Sequence, residues 1–471
     1  MKRKKKTLGP LLLALLWAGV LLSGCGGESV PSAPPAQTTA PTETAAPAVS
    51  WETNYLMADT IAYDSTAFDE RADQAAGHTV LGSRITRDQV RSVTFLDTLE
   101  NLPSSAWDVS ASGNGSVMAW ATLNEGLYDL FIAGEGGVSA GATCESLFAG
   151  YSNLERIEFG EAFHTEGVES MSVMFLGCEA LETVDVTGLD TSAVTRMAGM
   201  FAHCGSMNRL DLSTFDTARV EVMNHMFHHC KELQGLDISS FETKNVTNMK
   251  AMFSGCEKLT ELKLESFDTR NVADMSYMFK DCAALTELHL NHFSTSSVTT
   301  MRQMFCGCKG LTTLEVDKFN TSRVTDMEFM FRDCENLETL DVSYFNTSRV
   351  TNMSAMFERC FKVKHLAVEY FDTRNVTDMS YMFNKCEDLQ TLDVSHFDTG
   401  SVTTMRTMFQ NCYDLEALVL DGFDTGLVED MSYMFWNCPA VTVEDVSGFN
   451  TDAVTAYDSF MNGEGWESIF Q

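Results

Sequence analysis

Residues 371–395, FDTRNVTDMSYMFNKCEDLQTLDVS, contain one complete unit of the pattern that decides the fold. Between Val376 and Leu389 the apolar positions recur in steps of three, as on one face of an α- or 3₁₀-helical turn. From Leu392 to Val394 the step falls to two, which is typical of a short β-strand. We therefore expect each unit to contain a helical segment, a strand and a turn.

The start of the helical segment also has a sequence signal. Thr377 precedes the apolar stretch and is expected to cap the helix with its hydroxyl. Asp378 follows in the first turn, where a negative charge interacts favourably with the helix dipole. The sequence therefore predicts that the helix begins at this pair.

The unit recurs every 26 residues. Met-Phe precedes each of eleven equally spaced cysteines, which are Cys178, Cys204, Cys230, Cys256, Cys282, Cys308, Cys334, Cys360, Cys386, Cys412 and Cys438. One unit cannot bury its apolar face alone, whereas units stacked in register bury all of them together. The period predicts an α/β solenoid of the leucine-rich-repeat type, in which 26-residue units each contribute a short parallel β-strand and a helical segment. A small β-rich N-terminal cap is expected to precede it.

The N-terminus has the parts of a secretory signal. Basic residues 2–6 precede an apolar run, 11–22, that is shorter than the roughly 20 residues of a membrane-spanning helix. The tetrad Leu22-Ser23-Gly24-Cys25 resembles the lipobox of bacterial lipoproteins. This resemblance implies that residues 1–24 are removed and that Cys25 carries the acyl chains. In the alternative interpretation the signal is an ordinary cleaved one and Cys25 is incidental.

Composition divides the rest of the chain. Residues 25–50 hold five of the eight prolines among Ala, Thr and Ser, which predicts an extended tether. Residues 51–143 lack the period, and β-like runs at 117–122 and 128–133 predict hairpins in an N-terminal cap region. The solenoid is expected over 144–460, in about twelve units of which the first is degenerate. A C-terminal tail, 461–471, completes the chain.

The charge is strongly acidic. The sequence has 32 Lys and Arg against 66 Asp and Glu, and removal of five basic residues with the signal leaves 27 against 66, a net charge of −39. A field of this sign argues against nucleic acid or an anionic membrane surface as a partner. It favours solubility and cationic ligands.

The repeat itself resembles a known family. Residues 389–412, LQTLDVSHFDTGSVTTMRTMFQNC, are similar to the repeat of BspA-like leucine-rich surface proteins of bacteria and of Mycoplasma lipoproteins. The resemblance covers about residues 163–460. It implies display at the cell surface and adhesion or partner binding, without a known reaction.

Cysteine and histidine recur in positions that raise the question of chemistry. Neighbouring cysteines would lie ~5 Å apart, but parallel side chains give poor disulfide geometry, so we expect free, buried thiols. His203 and His229 occupy one slot in adjacent units, close to His225 and His228. They form a candidate surface site for Zn²⁺ or Ni²⁺. The alternative is a set of exposed loop histidines.

The outward strand position is rich in charge and is our candidate ligand-binding face. It holds Asp211, Asp237, Lys263, His289, Glu315, Asp341 and Asp393. A second acidic row follows the recurring Phe. Like charges one strand apart destabilise each other, so they require solvent screening, turn hydrogen bonds or a cation. Ordered Ca²⁺ is one candidate.

Aromatic residues recur in the predicted helical segments of every second unit. They are Tyr277, Phe329, Tyr381 and Tyr433, and Tyr344, Tyr370 and His396 form another set beside the strand. Exposed aromatic residues at regular spacing favour recognition of a partner. Isolated exposed aromatic residues are also ordinary.

The sequence has no enzyme signature such as His-Glu-x-x-His or Gly-x-Ser-x-Gly. Catalysis uses a few unique residues in a closed pocket, whereas this chain repeats the same positions eleven times. We expect a lipid-anchored bacterial surface protein, without cofactor, that binds an extracellular protein or glycan. The alternative is a structural surface spacer that has no specific ligand.

Overall fold

The computed structural model describes residues 51–58, 61 and 68–471, which belong to one compact unit, Val49–Gln471. Cys25 and the tether lie outside the described residues. The described chain has one α-helix, α1 (Arg71–Ala76), and 3₁₀ helices at Trp51–Thr53, Phe68–Glu70, Arg87–Gln89 and Trp466–Phe470. Its strands are β1 (Val90–Leu96), β2 (Trp107–Asp108), β3 (Val117–Asn124), β4 (Leu127–Gly134), β5 (Val138–Ser139), β6 (Arg156–Glu158), β7 (Phe163–His164), β8 (Arg209–Asp211), β9 (Gly235–Asp237), β10 (His365–Leu366) and β11 (Thr391–Leu392).

The region before the repeats forms a five-stranded sheet in the order β2-β3-β4-β1-β6. β3 and β4 pair antiparallel, which confirms the predicted hairpin. Its two-residue turn has positive φ at Glu125 (52°) and Gly126 (93°), as a type I′ turn requires. β1 pairs in parallel with both β4 and β6. Because β6 lies in the degenerate first unit, this sheet continues directly into the repeats.

A parallel ladder with one residue per unit connects the repeats. Its bridges join equivalent residues of successive repeats in an unbroken series from Ser170 to Ala456, after a first bridge from Thr143 to Ser170. Pairing at the predicted strand position is more sparse and includes β8 with β9 and β10 with β11. The continuous ladder therefore lies at the position where the sequence predicted the start of a helix.

The predicted helical segment of each unit is wrong, and so is the α/β classification built on it: the described repeats contain no helix. In the segment 379–386 the backbone N–H groups alternate between two kinds of partner. The N–H of Met382 donates to Met379 O and closes a turn, whereas the N–H of Phe383 donates to Met408 O in the next repeat (2.9 Å). A run of turns that are hydrogen-bonded across units replaces the helix.

Left-handed backbone makes this alternation possible. Tyr381 has a φ of 59° and Lys385 a φ of 60°, and the same two positions are left-handed in the repeats throughout the solenoid. A turn of three residues has the same side-chain period as a 3₁₀ helix, so the spacing of apolar residues could not separate the two. The predicted N-cap fails for the same reason: the N–H of Thr377 donates to Thr351 O, and Asp378 pairs in the ladder.

Phenylalanine and cysteine columns form the centre of the core. The rings from Phe175 to Phe435 stack at centroid distances of 5.2–6.0 Å and are parallel within 11°. The cysteines are free and buried, which confirms that prediction. From Cys178 to Cys412 each thiol of the series donates to a Phe carbonyl of the preceding repeat, at 3.0–3.3 Å. The thiol is thus a small apolar group that also satisfies a buried acceptor.

A threonine column joins neighbouring repeats on the other side of the core. From Thr165 to Thr425 each buried hydroxyl donates to a carbonyl of the following repeat, at 2.8–3.2 Å. At the last unit Thr451 donates instead to Ile469 O (3.1 Å). The residues predicted as a tail therefore fold back through the Trp466–Phe470 helix and supply the bond that a further repeat would supply.

The N-terminal strap, residues 68–76, covers the turns of the first repeats. Ala72 and Ala75 of α1 pack with Val173 and Leu176 in a small apolar cluster. Gly150 is left-handed (φ 77°), and a Cβ atom there would lie 2.3 Å from the backbone carbon of Ala75. Only glycine satisfies both constraints, so the strap and the first repeats fit each other closely.

Candidate binding surfaces

The strand face consists of the seven charged residues predicted as ligand-binding: Asp211, Asp237, Lys263, His289, Glu315, Asp341 and Asp393. All seven are exposed. Asp211 lies opposite Asp237 in the β8–β9 ladder, and His289 Nδ1 lies 3.7 Å from the Glu315 carboxylate. The structure therefore places them in one row.

The aspartates of the strand face close turns of their own chain. Asp237 Oδ1 accepts the backbone N–H (3.0 Å) and the hydroxyl (2.7 Å) of Ser239, and these bonds lower the pKa of the Asp237 carboxyl below its ordinary value. Asp341 and Asp393 make the same pair of bonds to the serine two residues later. Turn hydrogen bonds are thus the compensation that neighbouring like charges require.

The second acidic row has the same explanation. Asp216 Oδ1 accepts the N–H of Ala218 (3.0 Å), and Asp268 pairs with Arg270 (2.8 Å). Over residues 51–58, 61 and 68–471, no three His, Cys, Asp or Glu side chains gather into a group that could hold a metal ion. Neither acidic row therefore forms a Ca²⁺ cage in the described chain.

The predicted histidine pair lies together, but in a setting of packed rings. His203 and His229 stack at 4.9 Å, and the His228 ring lies 4.2 Å from that of His229. Phe68 of the strap stacks on His225 at 4.3 Å. His203 and His229 both have a φ of 58°, a conformation for which His is one of the enriched residue types. Their recurrence is explained by the left-handed position without a metal.

The turn face is the surface formed by side chains at and beside the left-handed positions of each repeat. It holds all four residues predicted as aromatic contacts, each partly exposed, with φ between 57° and 62°: Tyr277, Phe329, Tyr381 and Tyr433. Positive φ is unusual for bulky residues, and it aims these rings outward from the turns. The structure therefore brings the predicted aromatic set into one row.

Cations lie over three of these rings, which the sequence reasoning missed. Lys250 Nζ is 5.6 Å from the Tyr277 ring centre, the Arg302 guanidinium 5.8 Å from Phe329 and the Arg406 guanidinium 5.7 Å from the ring of the next repeat. Arg302 Nε also donates to Tyr277 Oη (3.1 Å). The signal in the sequence was a constant spacing, one repeat plus one residue, between cation and ring.

A charged network lies at the centre of the turn face. The Arg332 guanidinium lies 5.1 Å from the Phe329 ring, and its Nε lies 3.0 Å from Glu358. Asn384 Nδ2 donates to Glu358 Oε1 (3.0 Å), and Arg359 pairs with Asp333. Burial raises the pKa of the Glu358 carboxyl. The network connects three successive repeats.

The remaining aromatic set lies apart, beside the strands. Tyr344 and Tyr370 are 70% and 69% exposed, and His396 is exposed as well. They occupy one position in three successive repeats. Variants of these exposed residues can therefore serve as controls for variants of the half-buried rings of the turn face.

Family models match most of the repeat region. The matching family is described as "Mycoplasma protein of unknown function, DUF285", and its matches cover residues 142–260, 223–314, 284–367 and 361–465. The chain belongs to this family. It is also similar to a solved structure of a leucine-rich cell surface protein from Faecalibacterium prausnitzii A2-165, with 13% identity over 80% of this chain and 90% of that one, at a TM-score of 0.26. No curated protein matches.

For this DUF285 chain the geometry separates the predicted site residues into two groups. The strand-face aspartates and the histidines have structural roles in turns and ring packing. The turn-face aromatic residues contact basic side chains of neighbouring repeats and remain partly exposed. Within the described residues no helix is long and apolar enough to cross a membrane, and Cys25 lies outside them.

Proposed function

We propose that this protein is anchored by lipid on Cys25 at the bacterial cell surface and binds extracellular partners, protein or glycan, through its turn face. The basic and apolar signal, the Leu22-Ser23-Gly24-Cys25 tetrad and the proline-rich tether support the location. The resemblance to BspA-like repeats supports an adhesive role. A tether of about 25 residues in extended form reaches on the order of 75 Å, enough to carry the repeats clear of the membrane.

One observation carries the proposal: the row of half-exposed aromatic rings, spaced two repeats apart, with basic side chains between them. Tyr and Arg are enriched where binding energy concentrates in protein interfaces. Successive repeats pair through parallel bridges, which place neighbouring strands about 4.8 Å apart. Successive rings of the turn face are therefore separated by twice this spacing along the solenoid, and a long partner can contact several of them.

The strand face is a weaker candidate. Its aspartates already accept bonds from their own turns, as at Asp237 with Ser239. A partner that displaced these bonds would leave turn groups without partners, at a cost of about 1–3 kcal/mol each. The turn face offers contact area without that penalty.

We propose no catalytic role. The described nucleophiles that recur most often are thiols buried in the core, and burial raises the pKa of Cys230 to about 12. A thiol in that state is neither ionised at neutral pH nor accessible to a substrate. Repetition of side chains along a surface suits binding by many modest contacts.

The test is binding of the full chain to an array of extracellular matrix proteins and glycans. We expect Tyr277→Ala and Tyr433→Ala to lower the affinity for any captured ligand at least tenfold. Tyr344→Ala and Tyr370→Ala remove exposed tyrosines from another surface and should leave the affinity unchanged. Asp237→Lys tests the strand face in the same way.

The outcomes separate the alternatives. Loss of binding with Asp237→Lys and not with the turn-face variants would move the site to the strand face. Absence of any ligand across the array favours the structural spacer. Radiolabelled palmitate that is incorporated by the wild-type chain and by Cys25→Ala alike would refute the lipid anchor.

A further inference from the structure

The four turn-face rings and their cations follow one positional pattern. One repeat and one residue before each ring stands Lys250, Arg302, Ser354 or Arg406. Three of these four are basic, and each of the three lies 5.6–5.8 Å from its ring centre. The ring that lacks this partner is Tyr381, which has Ser354 in the corresponding position.

A carboxylate completes the arrangement in the two arginine copies. Arg406 Nη1 lies 3.3 Å from Asp430 Oδ2. Arg302 Nη1 pairs most closely with the Glu328 carboxylate and lies 3.8 Å from Asp326 Oδ2. In each copy the aspartate belongs to the next repeat and stands three residues before the ring. Each guanidinium thus lies near both an aromatic ring and a carboxylate of the next repeat, which is Asp430 for Arg406 and chiefly Glu328 for Arg302.

The Tyr381 copy also has this aspartate, although Ser354 replaces the arginine there. Asp378 stands at the corresponding place, three residues before Tyr381. Its Oδ1 accepts the N–H (2.8 Å) and the hydroxyl (2.6 Å) of Ser380. In the Arg406 copy Asp430 Oδ1 likewise accepts the N–H of the serine two residues later, while Oδ2 faces the guanidinium. Asp378 Oδ2 is therefore the atom that corresponds to the acceptor of Arg406.

Small side chains stand beside the Tyr381 ring, where the other copies have a basic side chain. Ser354 is 7% exposed, and its hydroxyl shares a 2.9 Å hydrogen bond with that of Ser380. Ala355, at the left-handed position of the same repeat, is fully buried. Among the described residues no basic group lies over the Tyr381 ring.

One arginine does contact the hydroxyl of Tyr381. Arg406 Nε donates to Tyr381 Oη (3.1 Å), as Arg302 Nε donates to Tyr277 Oη. The Tyr277 ring holds Lys250 over its face at the same time. A bond at the hydroxyl is therefore compatible with a further cation over the ring.

We propose that Tyr381 and Asp378 form a binding site for a guanidinium or ammonium side chain supplied by a partner. The partner would supply the cation that Arg302 and Arg406 provide from within the chain at the other copies. A guanidinium fits it best, because its planar face stacks on a ring while its edge meets a carboxylate. The strongly negative charge of the protein attracts such a side chain from solution.

This inference deepens the proposed function and rests on it for the identity of the donor, which would be an arginine of the extracellular partner. The cation site itself can be measured without that partner. The probe is N-acetyl-arginine amide, and N-acetyl-citrulline amide is its uncharged isostere. Lysine as the N-acetyl amide distinguishes an ammonium from a guanidinium.

Fluorine NMR on the full chain labelled with 3-fluorotyrosine measures binding at the site. The sequence has 11 tyrosines, and Tyr381→Phe identifies the relevant resonance. We expect arginine amide to shift the Tyr381 resonance with saturation and citrulline amide to leave it in place. Asp378→Asn should weaken arginine binding at least threefold. Equal responses to arginine and citrulline, or none at Tyr381, would overturn the proposal.

A second variant tests the geometry without any added ligand. Ser354→Arg places a guanidinium where Arg302 and Arg406 already stand, so the backbone accommodates it. It should shift the Tyr381 resonance and abolish the response to arginine amide. Ser276→Arg is the matched control, since Gln303 occupies the ring position that follows it, and it should do neither. An unshifted resonance in Ser354→Arg would show that ring and cation do not meet.

Binding to the array distinguishes a failure of this proposal from a failure of the proposed function. If the wild type captures a ligand and Ser354→Arg captures it equally well, the partner does not use the cation site and the inference fails. If arginine amide binds at Tyr381 while the array yields no ligand, the proposed function fails and the cation site stands. A captured ligand lost in Ser354→Arg and retained in Ser276→Arg supports both.

Discussion

Raising the pH above 9 is expected to unfold the repeats cooperatively, because the core contains buried thiols that ionise only when the chain unfolds. Burial raises the pKa of Cys144, Cys230 and Cys438 to about 12, from 9.0 in water, and raises that of the other described cysteines as well. A raised pKa in the folded state means that the folded chain holds its protons more tightly. Stability is therefore complete below pH 9 and is lost as the pH rises toward 12.

The size of the effect follows from the number of thiols. At pH 10 an unfolded thiol of pKa 9 gains about 1.4 kcal/mol by ionising, which the buried thiol cannot match. The thirteen buried cysteines from Cys144 to Cys438 would together favour unfolding by about 18 kcal/mol if they ionised independently. Typical domains are stable by only about 5–15 kcal/mol. The transition should therefore lie between pH 9 and pH 10.

Circular dichroism and thiolate absorbance, recorded together under reducing conditions, check this prediction. Both signals should change at the same pH, since each thiol ionises as its repeat opens. Replacing Cys256 and Cys282 with alanine should reduce the slope of unfolding free energy by about 2.7 kcal/mol per pH unit. Thiolate absorbance that rises near pH 9 while the dichroism is unchanged would refute the reasoning, as would a folded chain at pH 11.

Three substitutions test other parts of the structure, two by chemical denaturation and one by proteolysis. Thr217→Val removes a buried hydroxyl that joins two repeats and should cost about 2–4 kcal/mol. Thr403→Val removes an exposed hydroxyl that makes a similar bond and should cost less than about 1 kcal/mol; equal costs would contradict a special role for the buried threonine column. Gly150→Ala meets the backbone of Ala75 and should release the strap, seen as faster proteolysis within residues 68–76; unchanged proteolysis would contradict that contact. Lys385→Gly relieves a left-handed backbone and should stabilise by about 1 kcal/mol, and a loss of stability would argue against it.

The repeating core could be predicted from the sequence, but its secondary structure could not. The 26-residue spacing of Cys386 and its equivalents predicted which residues stack. It also predicted that the thiols are free. The helical segment was wrong because a three-residue turn and a 3₁₀ helix share one side-chain period. What separates them is the partner of alternate N–H groups, such as that of Phe383 with Met408 in the next repeat. Backbone pairing of that kind leaves no mark in apolar periodicity.

The candidate sites show the same division. The sequence placed Asp211 beside Asp237 and His203 beside His229, because equal positions in a stacked repeat must be neighbours. It could not assign their roles, since the sequence does not show that Asp237 accepts two bonds from Ser239 within its own turn. One signal in the sequence was missed. A basic residue stands one repeat and one residue before three of the four turn-face rings, as Arg406 does before Tyr433.

Backbone hydrogen bonds between the turns of successive repeats also explain why the turn face suits binding. Tyr277 and Tyr381 donate their N–H groups to Arg302 O and Arg406 O of the next repeat, each at 2.9 Å. These bonds hold the left-handed conformation that aims the rings outward, and each arginine returns a bond from Nε to the tyrosine oxygen (3.1 Å). Rings fixed before a partner arrives lose little conformational freedom on binding, so more of the contact energy appears as affinity. The backbone bonds that join the turns of successive repeats thus also order the surface that we propose for recognition.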